Sequence, residues 1–386
     1  MTPLEAATHT DPYVYYSQLR HKGDLYYDHH SQVWVACRAK SVQAILQHPD
    51  CHVRPFHEPV PTAIAQSAAG EIFSRLMRMN DGPRHQCPRA VIEPILAAVA
   101  PQEIATLVAR LIHQADGSAR SLNSLMFQLP VSVLCTLMGF GADQLDIMTR
   151  LTRDFVACLS PLSNGAQLSR ADVAANRLSE MFDALVSAKS EHSAFLSAVC
   201  RRYRPEITQE HDVLIANLIG LLSQTCEATA GLIGNTLTAL VQRPELLGEV
   251  RLSPGLIPEL IAEVARLDPA VQNTRRYAAK RCLVGDCMLE KGDTVLLLLA
   301  SANRDPEANP EPDRLLLKRH RRQNFSFGYG KHQCPDQHIA LAIASEALSV
   351  LLQQKDNPLL PTRHWCYAPS LNGRIPQFGP QPEIAQ

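Results

Sequence analysis

A mainly α fold with a small β lobe is the class this sequence predicts, and two observations carry it. From Pro83 to about Val241 apolar residues recur at helical spacing with few strand signals. From Val271 to Leu299 the pattern turns to short strand-like runs, with Gly285-Asp286 and Lys291-Gly292 as turns. The chain has 386 residues, 46% hydrophobic and 19% charged, enough to bury a large core. Length alone suggests two or three domains, and there is no internal repeat and no low-complexity block. The 37 Lys+Arg against 38 Asp+Glu give a formal charge of −1, which excludes a globally basic nucleic-acid binder. The first 35 residues hold no apolar run long enough for a signal peptide or a span of ~20 residues. A cytoplasmic protein with no membrane contact is therefore expected.

Element by element, Asp11-Pro12 opens an amphipathic helix that ends near Gly23. Short strands follow at 24–28 and 33–37, then a helix over 41–47 that stops before Pro49. Residues 51–82, rich in proline and glycine, read as a long, partly ordered loop of the kind that tends to carry function. The longest helix is expected at about 208–241. It lacks proline and is apolar on nearly every face, as befits a helix crossing the middle of a large protein. Two shorter helices follow Pro244, the second ending at Leu267-Asp268-Pro269. Residues 302–323 are irregular, a helix follows Cys334, and the tail is strand and loop. Eleven cysteines are scattered without CxxC or CxxxC spacing. No zinc ribbon or iron–sulfur run is legible, and most are expected to be reduced thiols packed as small apolar residues.

Cys334 is different. It closes the segment Phe325-Ser-Phe-Gly-Tyr-Gly-Lys-His-Gln-Cys334. Gly328 and Gly330 let the backbone turn tightly and approach a flat ligand. Cys334 lies just before a helix, with Pro335 suited to its first turn. The free N–H groups and positive dipole end there favour thiolate, the form a cysteine needs as an anionic metal ligand. The segment resembles the haem-binding loop of the cytochrome P450 superfamily, Phe-Gly-x-Gly-x-His-x-Cys-x-Gly, in Phe327, Gly328, Gly330, His332 and Cys334. Asp336 stands where the family has its last glycine, at a helix start where a carboxylate is tolerated. The resemblance implies a single haem domain over residues 1–386 that holds haem b with Cys334 as iron ligand, between the long central helix and the helix after the cysteine.

Other motifs agree, in the family's order. Glu263-Val-Ala-Arg266 puts a carboxylate and a guanidinium on one helix face and resembles the family's Glu-x-x-Arg. Pro312-Asp-Arg314 resembles its Pro-x-Arg, which implies a clamp of Glu263, Arg266 and Arg314 supporting the cysteine loop. His85-Gln-Cys-Pro-Arg89 resembles the propionate-binding helix, provided that the helix has barely begun at Pro88 or bends there. Arg276, before Tyr277-Ala278, resembles the strand arginine that reaches a propionate. The resemblance thus gives His85, Arg89, Arg276 and His332 to the haem carboxylates.

In the long helix the family pattern is Ala/Gly-Gly-x-Asp/Glu-Thr-Thr, and Leu232-Ile-Gly-Asn235 sets its register on Gln224-Thr225-Cys226-Glu227-Ala228-Thr229. Glu227 keeps the acid. Ala228 replaces the alcohol that helps deliver protons during oxygen activation, and Gln224 and Thr225 replace a small pair. Three readings stay open. A substrate hydroxyl or water substitutes and ordinary monooxygenation proceeds; Thr225 or Gln224 supplies the proton path; or the chemistry moves to coupling, desaturation or peroxide use. The rival from another class is a catalytically silent haem-binding recruitment protein.

If the family architecture holds, the basic run Lys318-Arg319-His320-Arg321-Arg322 lies where a ferredoxin or flavodoxin docks and relays electrons from NAD(P)H. Substrate contacts are expected from 51–82, 160–170, 221–225, 270–273 and 371–375, among them Pro61, Ile72, Gln224, Gln272 and Asn273. A mid-sized substrate with polar groups, in the tailoring of secondary metabolites, is implied.

Overall fold

A computed structural model describes residues 1–114, 121–188, 192–202, 211–353 and 364–379. The helices among them are α1 (Tyr13–Arg20), α2 (Ala39–Gln47), α3 (Ala68–Arg75), α4 (Pro83–Ala97), α5 (Pro101–Gln114), α6 (Leu122–Met138), α7 (Leu145–Val156), α8 (Gly165–Ser187), α9 (Ala194–Arg202), α10 (His211–Val241), α11 (Pro244–Leu252), α12 (Ile257–Leu267), α13 (Leu299–Asn303) and α14 (Gln337–Gln353). The first positions expected of the long helix, 208–210, lie outside the described residues. From Leu214 to Leu240, α10 is buried at every position except Gln224, Glu227 and Ala228. Helices α3, α6, α8, α12 and α14 enclose it. It is the only single helix among the described residues long and apolar enough to cross a membrane, and 78% of that stretch is buried inside the protein. Its apolarity is that of a core helix.

The strands are β1 (Leu25–Asp28), β2 (Val33–Ala36), β3 (Cys51–His52), β4 (Thr274–Ala278), β5 (Cys282–Val284), β6 (Cys287–Leu289), β7 (Thr294–Leu297), β8 (Trp365–Tyr367) and β9 (Pro376–Phe378). The main sheet runs β1-β2-β7-β4-β3, with β2 and β7 parallel and the other pairs antiparallel. The β lobe therefore unites N-terminal strands with the 274–297 segment. Between them, the stretch expected as a loop over 51–82 is more ordered than its composition suggests. It holds β3, α3 and two 3-10 turns, Thr62–Ile64 and Met77–Met79. Ser67 caps α3 by accepting the Gly70 N–H at 3.1 Å, a start signal hidden among prolines and glycines. None of the eleven cysteines is in a disulfide, and six are buried.

The expected clamp exists with different partners. Glu263 is fully buried. Arg266 donates to both its oxygens at 3.2 and 2.7 Å and to the carbonyls of Asn303 and Pro312 at 3.0 and 2.7 Å. The third place does not belong to Arg314, whose side chain is exposed and pairs with Glu311 three residues earlier; only its carbonyl joins the clamp. Arg319 and Arg322 occupy it, donating to Glu263 at 2.9 and 3.0 Å. That corrects the docking patch too. Two of its arginines turn inward to a buried carboxylate, leaving Lys318 and Arg321 exposed. These partners hold the Glu263 carboxyl below the usual carboxylate range, against the opposing effect of burial.

Removing the charge strands three guanidinium groups. Glu263→Gln should therefore cost about 3–5 kcal/mol in chemical denaturation. Because its folded pKa is depressed, the Glu263 contribution is full above the ordinary carboxylate pKa. It is lost as pH falls below that value through the folded one. The variant's deficit should accordingly shrink on acidification.

Candidate cofactor and substrate site

One cavity of about 440 Å³ lies between α10 and the 325–336 segment, with α4, β4, the Met77–Met79 turn and residues 371–372 completing its wall. The segment is folded by its glycines. Gly328 and Gly330 have φ of +72° and +69°, in the region that residues with a Cβ avoid. The Gly328 N–H donates to the Phe325 carbonyl, and the Cys334 N–H to that of Phe327, both at 2.8 Å. The Ser326 hydroxyl donates to the Ala265 carbonyl at 2.6 Å, tying the loop to α12. The clamp and the cysteine loop are thus one connected unit.

All seven expected cofactor residues, His85, Arg89, Arg276, Phe327, Gly328, His332 and Cys334, line this cavity. Their states differ from expectation in three respects. First, α14 begins at Gln337, so Pro335 precedes it instead of entering its first turn; the Asp336 carbonyl takes the N–H groups of Ile339 and Ala340. Second, the Cys334 thiol is pushed well up, by burial and then by Asp336, instead of down by the helix end. Third, Asp336 does not merely sit at the helix start. Its carboxylate accepts from Cys334 Sγ at 2.8 Å and from Thr225 Oγ1 on α10 at 2.7 Å, a bridge across the cavity.

The cationic group is uneven. Arg276, on β4, donates through Nη1 to the Arg275 carbonyl at 2.8 Å, while its buried Nε has no partner. His332 Nε2 lies 3.1 Å from Asp81 Oδ1, and its ring packs 4.1 Å from that of His85. Burial, with His332 and Arg89 nearby, lowers the His85 pKa to about 4, so His85 is neutral at pH 7. Arg89 is already spoken for by Glu93, at 2.8 and 2.7 Å, and by the Gln333 carbonyl at 2.8 Å. Pro88 lies inside α4, which begins at Pro83.

Of the expected substrate residues, Gln224 and Asn273 line the cavity. Gln272 does not; it is fully buried, donating to the Pro269 carbonyl and accepting from the Tyr16 hydroxyl. Ile72 packs in the core, and Pro61 is exposed. Thr225 and Ala228 line the cavity but Glu227 does not; its carboxyl is exposed at the surface of α10, yet desolvation by the surrounding protein raises its pKa and Arg78 draws it back. The lining residues that the sequence reading did not name as site residues include Arg78 and Thr229, the latter with a buried hydroxyl that lacks a partner. The family's paired threonines were a signal for Thr229; nothing in the sequence singles out Arg78.

This donor set fits haem. Cys334, the unpartnered Nε of Arg276 and the Gly328 backbone all border the cavity. Asp336 is the conflict, since it must turn aside before the sulfur can bind a metal.

A family model described as Cytochrome P450 matches residues 256–356. The mycinamicin VIII C21 methyl hydroxylase of Micromonospora griseorubida is 28% identical over 324 residues, covering 80% of this chain and 79% of that one. Among solved structures, CalO2 superposes with a TM-score of 0.85 at 21% identity, over 98% of this chain and 99% of that one. P450BioI, solved with an acyl carrier protein ligated to hexadec-9Z-enoic acid, gives 0.82 at 22% identity, over 95% and 97%. The chain belongs to the cytochrome P450 superfamily, in its bacterial type. It is a P450 monooxygenase, and the family implies haem as cofactor.

A Cβ at position 328 would lie 3.1 Å from the His332 carbonyl oxygen, at a positive φ. Gly328→Ala should cost about 1–2 kcal/mol from the backbone alone and weaken haem retention, read by thermal unfolding and by haem absorbance after gel filtration.

Proposed function

We propose that this chain, acting as a single haem domain, oxidises a small organic molecule of secondary metabolism, with haem b on Cys334. The observation that carries this is the convergence of Cys334, His332, His85 and Arg276 on one cavity whose opposite wall is the Gln224–Thr229 stretch of α10. Cys334 Sγ would hold the iron, with Phe327 and Gly328 of the same loop lining the space for the cofactor. The unsatisfied Nε of Arg276, with His85 and His332, takes the haem carboxylates, and Arg89 joins them only by giving up Glu93. Bound there, haem supplies dioxygen activation and insertion of one oxygen atom into the substrate.

The protein's own part in proton supply lies on α10. Glu227, with its raised pKa, holds a proton near neutrality more readily than an ordinary carboxyl. Ala228 passes none on. Thr229 has a free hydroxyl at the next position, and Thr225 gains one when Asp336 releases it. A hydroxyl of the substrate or an ordered water completes the path, so ordinary monooxygenation is the favoured outcome. The hydroxylase named among the relatives supports a tailoring role. Exposed Lys318 and Arg321 suit an acidic ferredoxin or flavodoxin in the cytoplasm, fed from NAD(P)H.

Ala228 together with Gln224 favours a second reading, in which the product is coupled or desaturated. Substrate-dependent NAD(P)H consumption with a surrogate ferredoxin pair, followed by product mass, separates the readings. One added oxygen supports insertion, loss of two hydrogens supports the second, and no consumption supports a silent haem-binding role. Cys334→Ser should abolish the strongly red-shifted Soret band of the reduced carbon monoxide complex; persistence of that band would refute the ligand assignment. Ala228→Thr should leave the coupling of electrons to product unchanged if substrate or water already fills the role. A marked gain would show that the hydroxyl is missed.

A further inference from the structure

The cavity holds more positive charge than the reading above uses. Arg89 is neutralised by Glu93, and Arg276, His85 and His332 serve the cofactor. Arg78 is left over. It lies in the Met77–Met79 turn, which is docked on α10 by the Met77 N–H donating to Asn217 Oδ1 at 2.7 Å. Its side chain lines the cavity among Met77, Met79, Leu159, Pro161 and Leu221. Arg78 is exposed, and the cavity is a space it borders. Desolvation by the surrounding protein lowers its pKa, and Cys158, Glu227 and Cys334 oppose this only through space. Among the described residues, nothing accepts a hydrogen bond from its guanidinium, and no carboxylate comes within the 4.0 Å of an ion pair.

A guanidinium stays charged in any protein environment. Beside an apolar wall it favours a charged partner, and its planar fork matches a carboxylate with two parallel hydrogen bonds. An apolar wall carrying an unspent cation is the recognition chemistry of an amphiphilic acid. We propose that Arg78 anchors a carboxylate of the substrate, so that the substrate class is an organic acid with an apolar body. The acid group sits at the Met77–Met79 turn and the body extends toward Gln224–Thr229. This rests on the reading that the cavity holds substrate beside haem.

The test uses haem-loaded protein and matched pairs of medium-chain alkanoic and arylalkanoic acids and their primary amides. Binding is read by calorimetry and by difference absorption. Acids should bind about 10- to 100-fold more tightly than their amides. Arg78→Met should abolish that preference and leave amide affinity unchanged, while Arg78→Lys should keep part of it. Equal binding across every pair, or a preference that survives in Arg78→Met, overturns the proposal. So does haem loss from folded Arg78→Met and Arg78→Lys, checked by circular dichroism, which would assign Arg78 to the cofactor. A wild-type preparation that stays colourless after haemin supplementation overturns the haem reading instead, and calorimetry on that preparation still reports the acid preference.

Discussion

The buried carboxylate of Glu263 is the interaction on which the site depends. Three arginines from two distant stretches converge on it: Arg266 on α12, and Arg319 and Arg322 beyond α13. Residues 304–329 form no helix or strand, so their backbone carbonyls cannot satisfy one another in a ladder and need outside donors. Arg266 and Arg319 provide them to Asn303, Pro312, Glu311 and Arg314. Desolvating such a cluster is costly, and only its full complement of hydrogen bonds offsets the cost. From that anchor the order passes through Ser326 and Asn303 to Phe325 and the cysteine loop.

Electrostatics then divides the cavity from the rest of the molecule. The chain as a whole carries a formal charge of −1, yet the cavity wall bears Arg78, Arg89, Arg275 and Arg276 against the single carboxylate of Asp336. Flat, dianionic ligands suit such an interior, and the charge is local, with Glu93 outside the wall drawing Arg89 out of the balance.

Much of this was legible in the amino-acid order because its signals are short-range. The glycine and cysteine spacing of the loop, the periodicity of α10 and the His85/Arg89 pair all act within one element. What escaped depends on where long side chains turn. Arg314, Arg319 and Arg322 lie within nine residues, and an irregular backbone gives no rule for which faces inward. The Gln272 amide looked available for a ligand, but the Tyr16 hydroxyl, far away in sequence, claims it. His48, Cys51 and Cys282 bring their donor atoms within 4.8 Å of one another, a meeting that no local spacing announces.

The Asp336 bridge has a consequence for how the cavity walls are joined. Its carboxylate accepts from Cys334 Sγ in the loop and from Thr225 Oγ1 on α10, so one side chain staples together two stretches 111 residues apart. Loss of that staple would loosen loop and helix at once.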